Sequence, residues 1–312
     1  MNSAIDRCIF IMSLDCEQIW GVLHPLDSRR ARIIRRDPTA GRGSIDILLR
    51  VFEKYNVPAT WAMVGHLFLD HCVCEDGIPH KGMPRPGDGW LSEDPCTDIQ
   101  KDPLFYGRDI VEKIAGSRVK HEIGLHSFSH VRFSECSRQV AEAEVREGVA
   151  AARRLGITVR SFVYPYNAVG HIDVLRSNGF EIYRSESMNG VKAGHGFLHG
   201  NVSRVTGRMS APLVEPVWAD GIWRIPTTAF FCDPVAPWLL LPKIKGAIRR
   251  AMESNGIVHV FLHPQDLLYH PSLRQRLDEL MAFVSRFRDA GKLQVMTMGD
   301  LADYLNKGAG TR

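Results

Sequence analysis

The sequence predicts an α/β chain whose seven or eight parallel strands close into a (β/α) barrel. Short apolar, β-branched runs alternate with stretches of helical period along most of its length, the pattern of parallel strands joined by crossover helices. The 312 residues are 45% apolar and 24% charged, enough for a sizeable core, and barrels of this kind reach that length as one unit. Residues 1–312 are therefore expected to form a single barrel domain. A loop-rich insertion at 66–105 and an irregular segment at 185–235 interrupt it.

The first strand is expected at 8–14, an unbroken apolar run. Ser44 offers an N-cap to a helix in which Ile45, Leu48, Leu49 and Phe52 recur at helical spacing. The second strand is 58–64, entered through Asn56-Val57-Pro58. Residues 66–105 carry prolines, glycines and three cysteines without periodicity; insertions that long are usually lids or binding loops. A short helix at 107–116 leads to the third strand at 122–125. The stretch 137–155 reads as a helix, with Glu142 and Arg146 four apart and Gly156 as its stop. Strands at 159–164 and 180–183 flank a helix at 172–177, and 222–225 forms a sixth strand. Beyond it come a helix at 238–252, a seventh strand at 257–263, a helix at 272–290, and closing elements at 293–298 and 300–305.

Charge and cysteine usage narrow the function. The net charge of +4 comes from 39 basic and 35 acidic residues, without the basic block or aromatic-basic signature of a nucleic-acid binder. No window approaches the ~18 apolar residues of a membrane-spanning helix. The first apolar run is followed at once by Asp15 and Glu17, unlike a secretory signal. Seven cysteines without framework spacing are expected as free thiols in a reducing cytoplasm. Cys72 and Cys74 form a C-x-C pair after His71 that suits a soft metal, although no second cysteine pair completes a four-ligand site.

Three strand ends carry the chemistry. Active sites of parallel barrels gather at the C-terminal edge of the strands. There the sequence places Asp15 and Glu17 after strand one, His126 and His130 after strand three, and His263 at the end of strand seven. Taken singly, acidic residues after a strand are mostly loop charges and a lone histidine is mostly structural. Together they suit a divalent metal with an open coordination position. The H-x-x-x-H spacing is weak by itself, since 13 histidines yield about one chance pair in every two such sequences. It occurs as His126/His130, His195/His199 and His259/His263. On a strand such residues lie about 13 Å apart, so at most one of His259 and His263 is a ligand. His195/His199 sits in a glycine-rich stretch with no carboxylate nearby. Only His126/His130 leaves a strand into a serine-rich turn where the backbone can curl.

The ordered segments Ser13–Glu17, Pro58–Gly65, Gly124–His130, Phe162–Asn167 and Phe261–His263 resemble the polysaccharide deacetylase family, the chitooligosaccharide deacetylase homology group of carbohydrate esterases, in a variant branch. The likeness runs from about residue 8 to 300. It implies a distorted (β/α) barrel of about seven strands and a metal-dependent N-deacetylase. The metal would be Zn2+ or another divalent ion held by one carboxylate and two histidines, so His126 and His130 become ligands. Where the common pattern has two adjacent aspartates, this chain has Asp15, Cys16 and Glu17. The resemblance implies Asp15 as general base and Glu17 as ligand, the exchanged roles being the alternative. His263 corresponds to the acid that protonates the departing amine. The turn with Tyr164, Tyr166 and Asn167 corresponds to the part that meets substrate and oxyanion. The family's base-tethering arginine is missing from that turn, and Arg160, Arg184 and Arg224 are the candidate substitutes.

The expected substrate is an N-acylated amino sugar, free, nucleotide-linked or lipid-linked. A hydrolase of another C–N bond, such as a formamide or cyclic imide, is the alternative enzyme. A catalytically silent carbohydrate-binding barrel is the non-enzymatic one. Of the tryptophans, Trp20, Trp61, Trp90, Trp218 and Trp223 offer sugar-stacking faces or core packing. The basic amphipathic stretch 238–250 is read as a surface helix, membrane contact being its weaker alternative. Nothing in the sequence sets the oligomeric state.

Overall fold

The computed structural model describes residues 5–23, 28–72, 74–87, 89–186, 211–232 and 237–309. Among them, parallel strands curl into a half-barrel: β1 (Ile9–Cys16), β2 (Thr60–Met63), β5 (Glu122–Leu125), β6 (Ser161–Val163), β7 (Ile182–Arg184), β9 (Ile222–Ile225), β10 (Ala229–Phe230), β11 (Ile257–Leu262) and β12 (Gln294–Met296). Their order is β10-β11-β1-β2-β5-β6-β7-β9-β8, where β8 (Val217–Ala219) is an antiparallel edge. The distorted α/β barrel is thus the observed fold. β1 is central: its first half pairs with β12, its second half with β2, and β11 runs along its other side. Covered on both faces, it reads as a continuous buried run rather than an alternating one.

The pleat sorts that run into two faces. Phe10, Met12 and Leu14 join the large core beneath the helices, whereas Ile9 and Ile11 face the concave interior with Ala62, Val163, Ile182, Trp223, Ile225 and Ile257. The helix Met298–Ala309 fills that interior through Met298, Leu301, Ala302 and Leu305. Its N-terminus is held by Thr60 Oγ1, which accepts from Met298 N–H at 2.8 Å, and by Glu122 Oε2, which accepts from Gly299 N–H at 2.9 Å. These contacts satisfy orphan donors of the first turn. Glu122 therefore serves the opposite end of its strand from His126.

The helices expected from periodicity form, and two that it does not show are added, Ser28–Arg36 and Asp266–Tyr269. The helix carrying Ile45 and Phe52 begins at Ala40, not at Ser44. Asp37 Oδ1 accepts from Thr39 N–H and Ala40 N–H at 3.0 and 3.1 Å, so a stronger carboxylate cap precedes the serine. Ser44 then sits inside the helix. The helix Arg138–Arg154 does start at its expected cap, Ser137 Oγ accepting from Val140 N–H at 3.3 Å.

The insertion departs further from expectation. It opens with the 3-10 turn Gly65–Phe68, holds the hairpin β3 (Cys74–Glu75) and β4 (Ile78–Pro79), and is bridged by a Cys74–Cys96 disulfide. That bond corrects the expectation that every thiol is free; Cys8, Cys16, Cys72, Cys136 and Cys232 are free. No helix among the described residues is long and apolar enough to cross a membrane. The helix Pro237–Ser254 takes in the basic amphipathic stretch. Trp20, Trp61 and Trp223 are core residues, while Trp218 is exposed.

Candidate metal centre and active site

The concave face changes character along β1. After Ile9 and Ile11 the same side presents Ser13, Asp15 and then Glu17, so strand period alone places both carboxylates in the barrel mouth. Cys16, between them, turns into the helix-covered core. A spacing of two thus does what adjacent acids cannot do on a straight strand. Gly21 completes the cradle, because a Cβ there would overlap the Glu17 carboxylate.

Glu17, His126 and His130 meet at one point. Glu17 Oε1 lies 3.2 Å from His126 Nε2 and 3.0 Å from His130 Nε2. The loop between the histidines curls because Ser127 and His130 adopt positive φ, 56° and 65°; this left-handed backbone costs a non-glycine residue energy and must be held by its surroundings. Glu144, from the helix Arg138–Arg154, holds it. Its buried carboxylate accepts from Phe128 N–H, Ser129 N–H and Ser129 Oγ–H at 2.8, 2.7 and 2.5 Å. Burial pushes the Glu144 carboxyl up from its usual range even against those bonds.

The donors suit a divalent cation. His126 Nδ1 donates to Val163 O at 2.8 Å; a carbonyl can only accept, so Nε2 is the nitrogen turned toward Glu17, as in a metal-ligating histidine. Burial holds His130 below its ordinary range and therefore neutral, with Glu17 opposing. The groups Glu17-His126-His130 and Asp15-Glu17-His263 each bring their ligand atoms within 4.8 Å of one another. Two imidazoles and a carboxylate supply three ligands, one short of a closed tetrahedral set.

Asp15 is held differently. Arg184, at the end of β7, donates from Nη1 and Nη2 to its two oxygens at 2.5 Å each. Arg184 also reaches Ser13 Oγ at 3.3 Å and stacks on the Phe261 ring at 4.2 Å. Below this pair His259 Nδ1 donates to Pro226 O, leaving Nε2 to accept from Ser13 Oγ at 2.9 Å. His259 thus supports the arginine and ligates nothing. Burial would raise the Asp15 carboxyl, but the guanidinium outweighs it and keeps the group below its usual range. Of the three candidate arginines, Arg184 makes this contact, whereas Arg160 pairs with Glu181 and Asp303 on the surface.

His263 closes the other side. Its Nδ1 lies 3.1 Å from Asp266 Oδ2, and its Nε2 points inward, 3.8 Å from Asp15 and 3.6 Å from Glu17. Burial lowers its affinity for a proton, yet Glu17, Asp266 and Asp15 together lift the imidazolium to about 9. Gln265 Nε2 steadies Glu17 from the same turn, donating to Oε2 at 3.0 Å.

The turn after β6 is partly as expected. Tyr166 and Asn167 both take left-handed backbone, and the Tyr166 ring packs on His130 at 4.7 Å and carries the Arg132 guanidinium over it at 3.7 Å. Tyr164 goes elsewhere: its ring is buried against Phe133 and Phe162, and its hydroxyl donates to Gly170 O at 2.9 Å. Asn167 N–H is occupied by Tyr164 O. The pair His195/His199 lies outside the described residues. Glu144, Gln265 and Asp266 were missed in the sequence, where each reads as an ordinary polar residue of a helix or loop.

Comparison with known proteins follows the same lines. Residues 40–182 match the model of the polysaccharide deacetylase family. No curated protein sequence matches the chain. Among solved structures, a probable polysaccharide deacetylase from Pseudomonas aeruginosa PAO1 superposes with a TM-score of 0.60 at 13% identity, covering 96% of this chain and 91% of that one. A protein from Mycobacterium smegmatis assigned to the same activity gives 0.59 at 13% identity, covering 96% and 90%. An allantoinase gives 0.54 at 12% identity, with the same coverage. At such identities the likeness is one of fold.

Proposed function

We propose that this chain, whose residues 40–182 belong to the polysaccharide deacetylase family, is a metal-dependent N-deacetylase acting on an N-acetylated amino sugar or glycoconjugate. One observation supports the reading: the two carboxylates of the mouth are held by different partners. Glu17 shares an oxygen with both His126 and His130, while Asp15 is kept off them by Arg184. Glu17, His126 and His130 would hold the ion, Zn2+ being the best match to two nitrogens and one oxygen. When bound there, it would polarise the acyl carbonyl and lower the pKa of a water.

The chain's own groups do the rest. Asp15, ionised beside Arg184, takes one proton from the attacking water. The turn that presents Tyr166, packed on His130, is the part proposed to meet the oxyanion that develops. His263 gives its Nε2 proton to the departing nitrogen, since an amine anion is a very poor leaving group. Asp266 holds Nδ1–H and steadies the imidazolium. Water and amide are thereby converted to carboxylic acid and amine, and the proton on Asp15 returns to His263.

The test is a panel of N-acetylated amino sugars, free, nucleotide-linked and lipid-linked, scored for acetate. Acetate from at least one supports the reading. Formate or a ring-opened product from a parallel panel of formamides and cyclic imides, with no acetate from any sugar, replaces it with hydrolysis of another C–N bond. The likeness in fold to an allantoinase makes that the natural second panel.

A further inference from the structure

We propose that the 66–105 insertion holds a second zinc ion, structural rather than catalytic, in a cage made by His66, Cys72, His80 and Asp94. The four side chains come from separate turns of the insertion, yet their ligand atoms all lie within 4.8 Å of one another. His66 Nε2 is 3.0 Å from both His80 Nε2 and Asp94 Oδ2, and Cys72 Sγ is 3.4 Å from Asp94 Oδ2. His80 Nε2 stands 3.4 Å from the same oxygen. A tetrahedron built on ordinary zinc–nitrogen and zinc–sulfur bonds has edges of about 3.3–3.6 Å. Two imidazoles, a thiol and a carboxylate form a complete four-ligand set, which marks a structural site, whereas Glu17, His126 and His130 leave a position open.

The surroundings orient these donors as a metal cage requires. His66 Nδ1 donates to Phe105 O at 2.9 Å, so its Nε2 is the bare nitrogen. Asp94 Oδ1 accepts from Cys96 N–H at 3.0 Å and Tyr106 O–H at 3.2 Å, leaving Oδ2 to face the histidines. The His66 and Asp94 side chains are fully buried, and His80 is 19% exposed. Among the described residues no lysine or arginine pairs with Asp94; its ion partners are the two imidazoles. Taking a carboxylate out of water without a compensating cation is costly, and zinc would supply that charge.

The cage has work to do in this fold. The insertion contains little regular structure, a two-residue-strand hairpin and short turns tied by the Cys74–Cys96 disulfide, and a bound ion would add a second cross-link among those turns. It also sits on the back of the catalytic loop. Gly65 N–H donates to Ser127 O at 2.7 Å and His66 N–H to Phe128 O at 2.9 Å, while the Phe128 ring packs on both His66 and His80. A Cβ at Gly65 would meet Phe128 Cα at 3.0 Å, so the two segments are in direct contact. An ion in the cage therefore braces the turn that presents His126 and His130.

Metal analysis of the full chain after exhaustive dialysis tests this, with cobalt substitution as an independent probe. Zinc is expected at two equivalents per chain, falling to one in Cys72→Ser and His80→Gln. It is also expected to fall to one in His126→Ala. Cobalt-loaded wild type should show thiolate-to-cobalt charge-transfer absorption, lost in Cys72→Ser and retained in His126→Ala. The wild-type spectrum needs no variant to fold. A wild type that holds only one equivalent and keeps it in Cys72→Ser, a wild type whose two equivalents both persist in Cys72→Ser, or a cobalt spectrum without the thiolate band overturns the cage. A single equivalent lost in Cys72→Ser but kept in His126→Ala supports the cage and contradicts the proposed catalytic site instead.

Discussion

Arg184 grips Asp15 through both oxygens across 169 residues of sequence, and both side chains are almost wholly buried. One contact thereby keeps Asp15 ionised and aimed, as the proposed base must be. A bidentate guanidinium fits a carboxylate in a way that a lysine cannot. Arg184→Met is expected to destabilise the fold by about 3–5 kcal/mol, because it leaves a buried carboxylate without a partner. Asp15→Asn added to it should return part of that loss. Thermal or denaturant melts of the two single variants and the double variant measure the coupling.

The same contact sets a pH dependence. Arg184 depresses the Asp15 pKa, and a base in the proposed role works only when ionised. Removing the guanidinium raises that pKa, so the acid limb of kcat/KM should move to higher pH in Arg184→Met. A profile with an unmoved acid limb would assign that limb to another group.

Roles within the acidic pair separate by measurement. Asp15→Asn should lower kcat by at least about 10²-fold, the usual worth of a general base, with catalytic-site metal retained. Glu17→Gln should lose that metal. The reverse outcome, metal lost in Asp15→Asn and kept in Glu17→Gln, exchanges the two roles.

Glu144 acts at one remove, through the loop it grips. Glu144→Ala is expected to cost about 1–3 kcal/mol through unsatisfied buried N–H groups. Affinity of the His126/His130 site should weaken by about 10–100-fold, the scale of lost supporting bonds around metal ligands. A competition titration with a zinc chelator reads the second effect separately from the first.

His263 is distinguished by the leaving group. In His263→Gln the hydrolysis of an amide should fall by about 10²–10⁴-fold. An aryl acetate, whose phenolate leaves without a proton, should lose far less. Equal losses on both substrates would move His263 from acid to a positioning role.

How much of this the sequence contains depends on whether the cause is local. Strand alternation and the run of elements are local, so the barrel, Asp15, Glu17 and the His126/His130 turn could be read directly. The choice among Arg160, Arg184 and Arg224 could not. It depends on which side of the pleat faces the concave interior, and Ile182 and Tyr183 are both apolar, so β7 itself shows no inside. Arg184 shares its face with Ile182, which packs against the C-terminal helix. Glu144 is equally silent, since one acid in a helix with other acids looks solvated until the loop docks on it. In the insertion, Cys72 and Cys74 suggested a shared metal by proximity. The hairpin sends Cys74 to Cys96 and leaves Cys72 with His66, His80 and Asp94, whose spacing of six, eight and fourteen residues has no period to detect.

The most direct test of the central claim is acetate release from N-acetylated amino sugars before chelation, after it, and after zinc is returned. The account predicts release by the purified chain, its loss on chelation, and its recovery with zinc in wild type but not in His126→Ala. Release that persists in the fully chelated chain, or in His126→Ala, would contradict it.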